Sequence, residues 1–111
     1  MWINVENARV FAQTGGQSFD SGKQSVVLIH GAGMDQTVWQ QQSRYLAHHG
    51  WNVFAIDMPG HCASEGSAPH SVRAGAEWLV SLLDALDLTR VSLVGHSLGA
   101  LISLEAASRF D

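Results

Sequence analysis

Cysteine, charge and long apolar runs are what this chain lacks. Cys62 stands alone. That excludes an internal disulfide and makes a reducing compartment, the cytoplasm, the expected location. Only 14% of residues are charged and the net charge is −4, so no basic face for nucleic acid is expected. The six histidines leave that balance unchanged while they are neutral. No apolar run approaches the ~18 residues of a membrane span, and residues 1–10 carry no basic segment leading into an apolar run, so neither a membrane anchor nor a secretory signal is expected. No His, Cys and carboxylate side chains fall at ligand spacing with a third partner, so no metal is expected. Internal repeats, low-complexity segments and interdomain linkers are also absent, and residues 1–111 read as part of one domain.

What is present is apolar. Hydrophobic residues make up 46% of the 111, enough to build a core that buries roughly 65% of the unfolded chain's surface. The four tryptophans read as core and loop-anchoring residues rather than a binding face.

Along the chain, Ile3–Val5 and Arg9–Ala12 read as two strands of a hairpin turning at Glu6-Asn7, since Asn tolerates positive φ. Residues 15–24 are polar and Gly-rich, a loop. Val26–His30 and Trp51–Met58 are continuous apolar runs, as in strands covered on both faces. A first helix is expected over Thr37–His49, with Thr37 and Gln40 at capping-box spacing and Gly50 as a stop. A second spans Ser71–Leu86, with Val72, Leu79, Leu83 and Leu86 on one face. Val91–Gly95 is another strand and Leu98–Arg109 a third helix, on which Glu105 and Arg109 form a favourable i,i+4 pair. A hairpin followed by repeated strand–helix units predicts an α/β fold with a mostly parallel sheet and right-handed crossovers.

The most informative stretch is Val91 to Ala100. It runs from apolar strand through Gly95-His96-Ser97-Leu98-Gly99 into an Ala/Leu-rich helix. That is the context in which Gly-x-Ser-x-Gly forms a nucleophile elbow, a sharp turn presenting the serine hydroxyl. Side chains at Gly95 or Gly99 would crowd such a turn. A random chain of this length contains the pattern in roughly 3–4% of cases, given Gly and Ser each near ~7% of residues. A second pattern upstream adds weight: the strand Val26–Ile29 runs into His30-Gly31-Ala32-Gly33. A Gly-rich turn after a strand there is where an oxyanion hole would be built, one backbone N–H coming from that loop and one from the residue after the nucleophile. Here those are Ala32 and Leu98, with Gly33 a rival loop donor.

His30-Gly31-Ala32-Gly33, the following Trp39, Asp57-Met58-Pro59-Gly60-His61 and Gly95-His96-Ser97-Leu98-Gly99 stand in order along the chain. In those motifs and their spacing the whole chain resembles the α/β-hydrolase family. The resemblance implies a serine hydrolase acting on an ester, thioester or related acyl bond of a small molecule, without a cofactor. C–C bond hydrolysis, cofactor-free perhydrolysis and acyl transfer share the same serine and remain open. Haloalkane and epoxide hydrolysis are disfavoured, because similar enzymes of those kinds carry Asp at the elbow. The family places its triad acid and histidine after the elbow. The chain is therefore expected to represent the N-terminal half of such an enzyme, with cap, acid and histidine beyond Asp111, and to be inactive alone. The rival from another class is a non-catalytic binding fragment. Cys62 occupies a position where similar proteins have Gly, and it would be strained if that position needs positive φ.

Each candidate has a bland reading as well. Ser97 could be a helix N-cap, and Ala32 and Leu98 could belong to ordinary turns. His96, next to Ser97, points away from it at a sharp turn and is read as packing. His30 is expected to brace its loop, and Asp57 to bind backbone amides beside His61. His48, His49 and His70 are surface or capping residues, and Cys62 lacks the setting of a nucleophile. The strand Val91–Gly95 would lack a neighbour on one side, leaving Val91, Leu93 and Val94 on a bare apolar edge through which the chain is expected to self-associate.

Overall fold

In the computed structural model, which describes residues 1–109, the chain starts as a hairpin of β1 (Trp2–Val5) and β2 (Ala8–Gln13). Both turn residues are left-handed, Glu6 at φ 51° and Asn7 at φ 66°, the conformation that a two-residue turn needs to match the strand twist. Trp2 meets Phe11 edge to face at 5.3 Å, and the Arg9 guanidinium lies 4.6 Å from the Trp2 ring. β3 (Gln24–Ile29), β4 (Trp51–Ile56) and β5 (Ser92–Gly95) complete one five-stranded sheet in the order β1-β2-β4-β3-β5. β3 runs parallel to both β4 and β5, and the hairpin joins antiparallel through β2 and β4. This is the expected α/β architecture, parallel except where the hairpin attaches.

The two-residue period of β3 and β4 explains why they read as unbroken apolar runs. Val27, Ile29, Phe54 and Ile56 face one core, with Leu79, Leu82, Ile102 and the hairpin's Ile3, Val5 and Val10. Val26, Leu28, Val53 and Ala55 face the other, against Ala47, Trp39, Leu46 and Trp51. Helix α1 (Gln40–Ala47) thus covers one face, while α2 (Val72–Ala85) and α3 (Leu98–Arg109) cover the opposite one. α2 and α3 cross closely at Gly75, where a Cβ would sit 2.5 Å from Ile102 Cδ1. Three tryptophans pack into these cores; Trp2 is half exposed.

Several element ends differ from the sequence reading by one or two residues, the first helix ending at Ala47 rather than His49 and β3 spanning Gln24–Ile29 rather than Val26–His30, and two of the differences have a tertiary cause. The first helix begins as a 3-10 turn, Gln36–Trp39, and its cap is Asp35, whose carboxylate accepts the Thr37 amide at 2.8 Å; no Thr37–Gln40 capping box forms. Asp57 Oδ1 takes the neighbouring Gln36 amide at 2.8 Å, which helps fix the entry two residues earlier than local spacing suggests. β4 ends at Ile56 rather than Met58, because the Met58 amide turns to the His30 ring instead of a neighbouring strand. α2 starts as read, Ser71 Oγ accepting the Ala74 amide at 3.0 Å, and Glu105 pairs with Arg109 on α3. Among the described residues, no helix is long and apolar enough to cross a membrane.

Candidate active site

The C-terminal ends of β3 and β5 lie side by side, Ile29 opposite Gly95, and the loop carrying Ala32 and the turn carrying Ser97 leave from there. The His96 amide donates to the Ile29 carbonyl at 3.1 Å, the chain reverses, and α3 begins at Leu98. Ser97, at the reversal, has φ 56°. A non-glycine residue in the left-handed region costs ~1 kcal/mol or more and persists where its surroundings impose it. The surroundings here are main chain: a Cβ on Gly95 would overlap the Gly99 carbonyl, and one on Gly99 would overlap the carbonyls of Ile29 and His30. Only with both glycines can α3 start against the end of β3.

Ser97 is exposed. Its carbonyl accepts the Ala100 and Leu101 amides, at 3.0 and 3.1 Å, so the helix start is satisfied by main chain. A capping serine hydroxyl would itself accept an amide in the first turn, yet no hydrogen bond of Ser97 Oγ is found among the described residues. Among the described residues, the exposed Ser97 hydroxyl is thus without a protein partner.

The loop after β3 lies against this turn. A Cβ on Gly31 would stand 3.3 Å from Ser97 Cβ and 3.2 Å from His96 Nδ1, tighter than an ordinary contact, so the close approach favours a glycine. Ala32 follows Gly31 and Leu98 follows Ser97, so the two amides read from the sequence sit on the two segments in contact. Neither amide donates to a protein acceptor among the described residues. The Gly33 amide does: it donates to His61 Nε2 at 3.2 Å. Of the two candidate loop donors, Ala32 is thus the one not already engaged.

The remaining polar residues are framework. His30 is fully buried, its Nδ1 2.7 Å from the Gly31 carbonyl and its Nε2 accepting the Met58 amide at 3.0 Å. Burial pulls its pKa below the ordinary 6.5, against the opposing pull of the Gly31 carbonyl. Asp57, also buried, accepts the Gln36 and Ala63 amides. Asp35 is held below the usual carboxylate range by its bonds from the Thr37 hydroxyl and amide. Cys62 is exposed at φ 46°, the strained geometry considered for it. His48 meets Gln17 at 3.2 Å and His49 stacks on Tyr45 at 4.0 Å, both on or beside α1; His70 is exposed ahead of α2. No described histidine is hydrogen-bonded to Ser97. No group of three or more described His, Cys, Asp or Glu residues could hold a metal.

Two features were not readable from sequence: Gly31 as the contact that seats the loop on Ser97, and the His61–Gly33 bond across two loops. A His-Gly pair at a strand end was the available signal for the first. A cavity of about 750 Å³, lined by Phe19, Lys23, Ser25, Arg90 and Ser92 among others, lies at the opposite ends of β3 and β5 and is not part of this site.

The sequence profile of the alpha/beta hydrolase fold matches residues 24–111. The chain is 37% identical, over 87 residues, to (E)-2-((N-methylformamido)methylene)succinate hydrolase of Acinetobacter baylyi, covering 77% of this chain and 33% of that protein. It is 41% identical, over 92 residues, to 2-hydroxy-6-oxo-2,4-heptadienoate hydrolase of Pseudomonas putida, covering 77% of this chain and 32% of that one. A crystal structure of a hydrolase described as CIB-like, from Thermoplasma acidophilum, superposes with a TM-score of 0.87 at 25% identity, over 99% of this chain and 56% of the other. The chain thus spans about a third of the length of the curated relatives it matches.

Proposed function

The chain belongs to the alpha/beta hydrolase fold family, and from that premise we propose that it carries the nucleophilic half of a serine hydrolase for small acyl substrates. The observation that carries the reading is Ser97: left-handed, exposed, its hydroxyl without a protein partner among the described residues, with Gly31 packed against it. Ser97 Oγ attacks the substrate carbonyl. The Ala32 and Leu98 amides, neither of which donates to an acceptor among the described residues, receive the oxyanion, each such donor being worth ~3–4 kcal/mol in a transition state. A hydroxyl needs a base to take its proton, and none of the described histidines is placed to do so. The base and its orienting acid are therefore assigned to residues outside the described ones, which accords with relatives about three times as long. Collapse of the tetrahedral intermediate expels the leaving alcohol or thiol, which takes the proton back from that base, and water then attacks the acyl-serine, releasing the acid and restoring the Ser97 hydroxyl.

A second reading has an observation in its favour. One relative at 41% identity is named 2-hydroxy-6-oxo-2,4-heptadienoate hydrolase; the compound in that name carries a ketone and no ester or amide, so hydrolysis of it would break a carbon–carbon bond. Ser97 and the two amides would serve that reaction equally, by attack on a ketone in place of an ester.

The test is hydrolysis of short activated esters and of a vinylogous 1,5-diketone by the product of the whole reading frame that encodes these residues. Ser97→Ala should remove on the order of 10⁶ in turnover, as loss of a triad nucleophile does. Residues 1–111 alone should not exceed background. Undiminished turnover in Ser97→Ala refutes the reading, and the ratio of ester to diketone rates decides between the two reactions.

A further inference from the structure

The two histidines in the loops beside Ser97 are wired as counterparts. His30 begins the loop after β3. Its Nδ1 lies 2.7 Å from the Gly31 carbonyl of that loop, and its Nε2 accepts the Met58 amide from the loop after β4, at 3.0 Å. His61 belongs to that second loop. Its Nδ1 lies 3.0 Å from the Pro59 carbonyl there, and its Nε2 accepts the Gly33 amide from the first loop, at 3.2 Å. The ring centroids are 4.9 Å apart. Each ring therefore donates within its own loop and accepts from the other. A carbonyl carries no proton, so Nδ1 must supply it; an amide needs a lone pair, so Nε2 must be bare. Both imidazoles are neutral and in the Nδ1–H tautomer, the less common form of free histidine. Protonation would make Nε2 a donor facing another donor, and the cross-loop bond would be lost.

We propose that His30 and His61 are positioning residues: a reciprocal clasp that holds the loop bearing Ala32 against the elbow, and that opens when His61 takes up a proton. The proposal rests on the functional reading only in calling Ala32 an oxyanion donor. Several groups face the pair. Asp35 is in the first loop, Asp57 and Cys62 are in the second, and His96 on the elbow borders Gly31. Both carboxylates are occupied by backbone amides, Asp57 with Gln36 and Ala63, and Asp35 with Thr37. His30 is fully buried, and its burial disfavours the cation. His61 is partly exposed, and a charge on its ring, 4.9 Å from that of His30, opposes one on His30.

Nuclear magnetic resonance on residues 1–111 tests this without a substrate. Nitrogen-15 spectra at pH 8 should show both rings as Nδ1–H tautomers. Through the titration of His61, the protection of the Gly33 amide against hydrogen exchange should fall roughly five- to tenfold, the equivalent of one ordinary hydrogen bond. His61→Gln keeps an acceptor for Gly33 but cannot titrate, so the pH dependence of the Ala32 and Gly33 amides should vanish. An Nε2–H tautomer at His61 overturns the proposal. So does a Gly33 amide indifferent to His61 titration, or an unchanged pH dependence in His61→Gln. The tautomers are read on the parent chain, so a misfolded variant does not remove the test. If ester turnover proves independent of Ser97, the functional reading fails while the tautomers still decide the clasp.

Discussion

Replacing Gly99 by alanine sets two physical effects against each other, and the sign of the result tells which governs the elbow. Gly99 lies in the first turn of α3, where alanine should gain about 1 kcal/mol over glycine from helix propensity. The structure predicts the opposite. The new Cβ would overlap the carbonyls of Ile29 and His30, and its neighbours are main chain of another element rather than the end of a flexible side chain. To make room, the start of α3 must move off β3. That stretches the His96–Ile29 hydrogen bond, now 3.1 Å, and withdraws Ile102 from its seat on Gly75. Overpacking of this kind costs roughly 1–3 kcal/mol, and a clash with main chain of another element puts this case at the upper end, about 3 kcal/mol. Set against the propensity gain, the net loss is about 2 kcal/mol, a fall in Tm of roughly 8–12 °C for a chain of this size. The assay is urea and thermal unfolding followed by tryptophan fluorescence at low micromolar concentration. Gly16→Ala is the control. Its φ of 85° strains any side chain, but no atom lies within 4 Å of the added Cβ, so it should lose only about 1 kcal/mol. A Gly99→Ala chain that melts at or above the parent temperature would refute the backbone-contact account.

Other expectations follow from the same geometry. Cys62→Gly should raise stability by about 0.5–1 kcal/mol in urea titration, because relief of the left-handed penalty exceeds the added chain entropy, whereas Cys62→Ala should change it little. His30 is depressed below 6.5 in the folded chain, so the unfolded chain binds more protons as acid is added. Its contribution is complete above that value and is lost as pH falls through the folded pKa. The urea midpoint should accordingly drop on acidification, and a midpoint constant from pH 8 to 5 would contradict the buried neutral ring. Val94, Leu101 and Leu104 are exposed on β5 and α3 beside a strand edge with no partner among the described residues. Residues 1–111 should therefore self-associate in sedimentation velocity, and Val94→Lys with Leu104→Asp should keep them monomeric.

Local chemistry was legible in the sequence; the meeting of distant loops was not. The hairpin turn announced itself through Asn7, the buried strands through unbroken apolar runs, and the elbow through two glycines around Ser97. The helix after β3 was misplaced because its entry is set by Asp57, on another strand's exit, more than by Thr37 and Gln40 nearby. Met58 looked like strand because nothing local says that its amide answers to His30. Periodicity gave parallel strands but no order, since the placement of β3 between β4 and β5 depends on which crossovers bury both faces of the sheet. Ser97 and Leu98, adjacent in sequence, could be read together; the approach of Gly31 to them is a tertiary fact.

The left-handed serine has a further consequence for how this scaffold can be altered. Its seat is made of peptide groups, those of Ile29, His30 and Gly99, so repacking core side chains leaves that seat where it is. Residue 97 behaves like an interchangeable tool in a fixed holder. Aspartate and asparagine tolerate left-handed backbone better than other side chains, and either could be mounted there pointing along the same direction. Exchanging the reactive atom is thus, in this fold, a separate problem from positioning it.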